Sequence, residues 1–119
     1  MVLKILQRKI GAVTVLDLEG KVILGEPSNR LLETTKNLLT QGERNLLLNL
    51  AEVSYLDSAG LGSVVQCYSS VLHSNGRLKL LKVPARILEL LRTTKLQSRF
   101  EMFEDEATAL ESYESMRAQ

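Results

Sequence analysis

At 119 residues, with 45% hydrophobic and 24% charged side chains, the chain has the size and composition of one folded domain: too short for two independent cores and too apolar for disorder. A formal net charge of +1 leaves no overall field to draw it onto nucleic acid or an anionic membrane. One cysteine, Cys67, excludes an intrachain disulfide and a cysteine-based metal site, while the lack of a span-length apolar run or a signal-peptide pattern after Met1 makes the cytoplasm the expected location.

Residues 2–9 read as a strand closing in a turn at Lys9-Ile10-Gly11, and the β-branched run over 12–19 as a second. The short Gly-containing turn between them predicts an antiparallel hairpin. Gly20 to Gly25 reads as a connection. Glu26-Pro27-Ser28-Asn29 looks like a helix start, with Pro27 in the first turn and Ser28 or Asn29 as the cap. Leu31, Leu32, Thr35, Leu38 and Leu39 follow at helical spacing, and Gly42 fits the stop.

Asn45 to Leu50 is a short apolar run, as in a strand buried on both faces. A loop through Ser54 to Asp57 then leads to a helix with an inward stripe of Leu61, Val64, Val65, Tyr68, Val71 and Leu72, ended by Asn75-Gly76. Cys67, within that pattern, reads as a small buried hydrophobe. Leu78 to Val83 reads as a strand. Pro84 opens a short helix facing inward through Ile87, Leu88 and Leu91, and Phe100 to Phe103 reads as an edge strand. Glu104-Asp105-Glu106 begins a last helix where the macrodipole favours negative charge, with Ala107, Leu110 and Tyr113 facing in. Two leading strands followed by alternating helices and strands predict an α/β sandwich, a mixed four- to five-stranded sheet packed with about four helices.

Charge is segregated late in the chain. Arg77 to Arg99 is basic apart from Glu89, and the segment from Phe100 is acidic up to Arg117. Solvated faces that complement each other are the expectation; a docking surface would show itself by salt-dependent binding.

The segment richest in chemical content is Leu56-Asp57-Ser58-Ala59-Gly60-Leu61-Gly62, joining a strand to a helix. Asp57 or Ser58 can cap the helix by accepting from its first free N–H groups. The small neighbours Ala59 and Gly60 leave the Ser58 hydroxyl approachable, and Gly60 and Gly62 suit a tight turn or a close backbone approach. A helix N-terminus also favours a phosphate. Taken alone, these features describe an ordinary capped helix as well as they describe a regulated serine.

The segment resembles the Asp-Ser-(Ser/Thr/Ala)-Gly-Leu-Gly signature of anti-sigma factor antagonists in the STAS domain family. The likeness extends over almost the whole chain: Leu18-Glu19-Gly20-Lys21 resembles the Gly ending the family's second strand. Asn45 to Leu50 and Asn75 to Leu80 fall at its strand positions. The resemblance implies one STAS domain over 1–119, with no catalytic residues and no cofactor or metal. It implies a protein that, unphosphorylated, captures a serine-kinase anti-sigma factor and so frees a sigma factor. The kinase would then phosphorylate Ser58, and a serine phosphatase would reset it. Partner contacts would come from Asp57, Ser58, Ala59, Gly60, Leu61, Gly62 and Glu26, on a protein monomeric when free. The stretch from Gly20 to Ser28 departs from the family: it is longer and lacks an Asp that many members carry two or three residues after that Gly, and Glu26 is expected to take its place.

Other chemistries fit poorly. A serine hydrolase needs a base beside Ser58, but the single histidine, His73, lies fifteen residues on, roughly 22 Å along a helix. Gly60-Leu61-Gly62 lacks the third glycine and the distal acid of a dinucleotide site, with Val65 and Val83 in their places. A P-loop and metal-ligand spacing are missing, and the basic segment carries no aromatics for nucleic acid. Within the fold, the alternative is a STAS module of a lipid-transport or stress-signalling assembly.

Overall fold

Two strand-forming runs joined by a turn at Gly11, where φ is 59°, open the chain. In the computed structural model, which describes residues 2–117, β1 (Leu3–Ile10) and β2 (Val13–Val22) form the antiparallel hairpin. They are followed by α1 (Glu26–Thr40), β3 (Asn45–Leu56), α2 (Ser58–His73) and β4 (Arg77–Leu81). Then come α3 (Ala85–Thr93), a 3-10 turn (Gln97–Arg99), β5 (Met102–Phe103) and α4 (Glu106–Arg117). The strands lie in the order β1-β2-β3-β4-β5, and every pairing after the hairpin is parallel.

Parallel strands are covered on both faces, and β3 shows why its sequence is so uniformly apolar. Leu46, Leu48 and Leu50 point into the larger core, with Leu31 and Leu38 of α1, Val64, Cys67 and Val71 of α2, and Ile87 and Leu91 of α3. Leu47 points the other way, into a smaller core with Val13, Val15, Leu81, Ala109 and Tyr113. There α4 lies on the sheet, tied by the Tyr113 hydroxyl donating to the Leu46 carbonyl at 2.5 Å. Burial raises the Tyr113 phenol well above its usual range. It also pushes the Cys67 thiol up to about 11, consistent with a packing role.

Several boundaries differ from the sequence expectation. β2 and β3 do not stop at 19 and 50: their ladder continues through Lys21↔Tyr55 and Val22↔Leu56, because Val22, Val53 and Leu56 still bury their side chains. Two register shifts in that stretch scramble the alternation by which it would have been read as strand. β4 ends at Leu81 because Lys82 turns the chain at a φ of 53°. Neither Ser28 nor Asn29 caps α1. The cap position is Gly25, at a φ of 97° that a side chain resists, and Ser28 is buried with its hydroxyl donating to the Ile23 carbonyl at 2.7 Å.

The far ends of α1 and α2 close as expected, through paired bonds from Gly42 and Glu43 to Leu39 and Leu38, and from Asn75 and Gly76 to Leu72 and Val71. Leu72 is nevertheless half exposed. On α3 the core is met by Ile87, Leu90 and Leu91, leaving Leu88 half-buried outside it. Ala107 faces water, since the helix phase puts Ala109 and Tyr113, four apart, on the sheet. Phe100 belongs to the core and not to β5, packing edge-to-face on Tyr68 with ring centroids 5.0 Å apart.

The charge blocks meet only in part. Lys79, buried on β4, reaches Glu101 at 3.4 Å and Ser112 at 2.8 Å and lies 4.6 Å from the centre of the Tyr113 ring. The acidic start of α4 is met instead by Arg8 of β1, which bridges Glu106 at 2.7 Å and Asp17 at 2.6 Å.

Candidate functional site

β3 delivers Asp57 at the head of α2 in an extended conformation, the geometry of an N-cap. Its carboxylate serves two elements. Oδ1 accepts from the Gly60 N–H at 2.7 Å, capping α2, and Oδ2 accepts from the Leu24 N–H at 3.0 Å, fixing the loop before α1. The Leu24 and Gly60 amides together hold the Asp57 carboxyl below the usual carboxylate range. The cap is therefore Asp57 and not Ser58. Relieved of that role, Ser58 is exposed, and its hydroxyl makes no hydrogen bond within the described residues.

Gly60 permits this junction. A Cβ there would sit 1.9 Å from the Val22 carbonyl oxygen, so only a hydrogen fits where α2 crosses the end of β2. Gly62 has no such need, with open space where its Cβ would lie. It lines a shallow groove of about 300 Å³ with Leu24, Gly25 and Asn29 from the α1 side and Ala59 and Gln66 from α2.

The residues that the sequence singled out thus divide. Ser58 is exposed, and Asp57, Ala59 and Gly62 are partly exposed around it. Gly60 and Leu61 are buried and shape the site from behind. Glu26 opens α1 and pairs with Arg30 at 3.5 Å, outside the lining of the groove. Leu24, 76% exposed, stands in what reads as a mere connection; the apolar run Val22-Ile23-Leu24 before Gly25 is the available signal. His73 lies at the opposite end of α2, its Nδ1 2.7 Å from the Ser69 carbonyl, and gives Ser58 no base. Among the described residues no three His, Cys, Asp or Glu side chains converge on a metal-sized site, and no helix is long and apolar enough to cross a membrane.

Residues 4–109 match the STAS domain model, and the chain belongs to that family. Solved structures with the same architecture include the Bacillus cell fate determinant SpoIIAA in its phosphorylated form, 18% identical over 92% of this chain and 99% of that one, at a TM-score of 0.75. An anti-sigma factor antagonist from Mycobacterium paratuberculosis is 18% identical over 92% of each chain, at a TM-score of 0.76. A sulfate transporter family protein from Wolinella succinogenes is 16% identical over 92% of this chain and 91% of that one, at a TM-score of 0.79. At these identities the likeness is one of fold, and it covers the predicted mixed sheet and four helices.

The two amides on Asp57 predict an acid-sensitive junction. A carboxyl depressed on folding contributes stability above its unfolded value, near 3.8, and that contribution is lost as pH falls through the lower folded value. In an NMR titration the Leu24 and Gly60 amide shifts should move together, with a midpoint below 3.8, and both movements should vanish in Asp57→Asn. Independent midpoints would show that one carboxylate does not hold both elements.

Proposed function

We propose that this protein is an anti-sigma factor antagonist: a binding protein, not an enzyme, that captures a serine-kinase anti-sigma factor and releases it when Ser58 is phosphorylated. The observation that carries the reading is the exposed Ser58 directly after the Asp57 cap, at the start of α2. Asp57 supplies the side-chain cap without Ser58, so the serine is free to be modified without loss of the cap. The contact surface comprises Asp57, Ser58, Ala59 and Gly62, backed by Gly60 and Leu61, with Leu24 and the first turn of α1 around Glu26 as neighbours. A serine phosphatase restores the binding form. Single-domain organisation, a cytoplasmic location and a monomeric free state belong to the same proposal.

Intact-mass and peptide mass spectrometry after incubation with the cognate kinase and ATP tests it. One phosphate, on Ser58, is expected. Modification confined to Ser54, which lies on β3, or to buried Ser63 would defeat the assignment.

A second reading is a STAS module serving a lipid-transport or stress-signalling assembly. It is favoured by the extended stretch from Gly20 to Ser28 and by the equally good fold match to a transporter-family protein. Co-purification with membrane components in place of a kinase would select it.

A further inference from the structure

The pairing of β3 with β4 ends at Asn49 opposite Leu81, yet β3 continues to Leu56. Over that extension its β2 side stays in the ladder, while its other edge has no strand beside it among the described residues. A strand directs its N–H and C=O groups alternately to its two sides, so this edge carries main-chain donors and acceptors without strand partners. The Ala51 N–H is met by the Asn49 side chain at 3.1 Å; from Glu52 onward the edge is open.

Where a strand would lie, α3 stands off across a cleft of about 690 Å³. Its apolar lining includes Val53, Leu56, Ile87 and Leu90, beside a half-exposed Tyr55. Arg86 lines it too. Glu89, on the same helix, is paired with Arg92 at 3.6 Å, whereas no ion pair reaches Arg86 among the described residues. The cleft begins at Leu56, one residue before Asp57.

We propose that this cleft takes an extended peptide segment of a partner protein. The segment adds main chain to main chain along the edge of β3, sets an apolar side chain against Ile87 and Leu90, and brings an acidic side chain to Arg86. The free edge decides for a peptide over a simple amphiphile: a peptide backbone satisfies a row of amides and carbonyls that a hydrocarbon would cover and leave unmet. The register shifts in β3 twist this edge and confine the addition to a short segment. The proposal stands on the cleft and is independent of any modification at Ser58.

The test is selection of short random-sequence peptides, displayed on phage, against the parent protein. Enriched peptides should alternate apolar residues and carry an acid. They should bind Thr93→Trp, which fills the cleft from an exposed position, and Arg86→Glu about tenfold more weakly. Glu111→Lys, an exposed change on α4 away from the cleft, should bind them as tightly as the parent, and hydrogen exchange should slow at amides between Glu52 and Leu56. Circular dichroism confirms that the variants are folded; if Thr93→Trp is not, Arg86→Glu decides. Failure to enrich any peptide, enriched peptides indifferent to Arg86→Glu, or a cleft that binds dodecanoate and no peptide would each overturn the proposal. Failure of Ser58 phosphorylation would leave these outcomes unchanged, so the two readings fail separately.

Discussion

If the protein captures a kinase as proposed, Ser58→Asp is expected to weaken that capture about a hundredfold while barely moving the melting temperature. A phosphate on Ser58 carries about −1.5 to −2 charges at pH 7. At the start of α2 those charges face free N–H groups and the positive end of the helix dipole, so the protein itself tolerates them. The partner has no such compensation: a surface fitted to a small neutral hydroxyl must admit a solvated anion beside the already ionised Asp57. A net cost of ~3 kcal/mol corresponds to the hundredfold loss. Ser58→Ala should keep the affinity and lose the response to ATP. Titration calorimetry alongside thermal melting reads both. A Ser58→Asp protein that binds as tightly as the parent removes the charge mechanism, and one that is simply unfolded makes Ser58 a structural residue.

Gly60→Ala should be among the most destabilising single-methyl changes in the protein, and Gly62→Ala should have the opposite sign. The added Cβ at position 60 meets the Val22 carbonyl at 1.9 Å and its carbon at 2.8 Å, so backbone must move. Overpacking costs typically 1–3 kcal/mol, and with rigid main chain on the far side the upper end applies, about 3 kcal/mol. That corresponds to a fall in Tm of roughly 10 °C or more for a domain of this size. At position 62 the methyl enters open space, and replacing glycine inside a helix favours folding by up to about 1 kcal/mol. Thermal and urea unfolding of the two variants side by side decides the matter. Equal losses at both positions would mean that helix propensity, and not the crossing with β2, sets their behaviour.

What could be read from the sequence was whatever one local pattern specifies. The leucines of Asn45 to Leu50, the stripe along α2 and the stop signals at Gly42 and Asn75 each carry their own periodicity or turn chemistry. The extension of β2 and β3 carried none, because its register shifts break the alternation and its support comes from partners more than thirty residues away. The same holds at the site. That a cap stands at 57 or 58 is local information. That Asp57 takes both the cap and the Leu24 amide depends on the fold bringing residue 24 to residue 57, and only then is Ser58 released from structural duty. The two glycines looked alike in sequence and differ because one of them lies under a carbonyl from β2.

The two cores also differ in when they can form. Val13, Val15, Leu47 and Leu81 are sealed by Ala109 and Tyr113, residues synthesised after all of them. On the ribosome the larger core can assemble once Phe100 has emerged, but one face of the sheet stays uncovered until the segment around Tyr113 follows. During that interval the nascent chain presents a strip of exposed aliphatic surface, the kind of surface that chaperones bind and that drives association between unfinished chains. A chain truncated between Phe103 and Ala109 would therefore keep the larger core and present a sticky side.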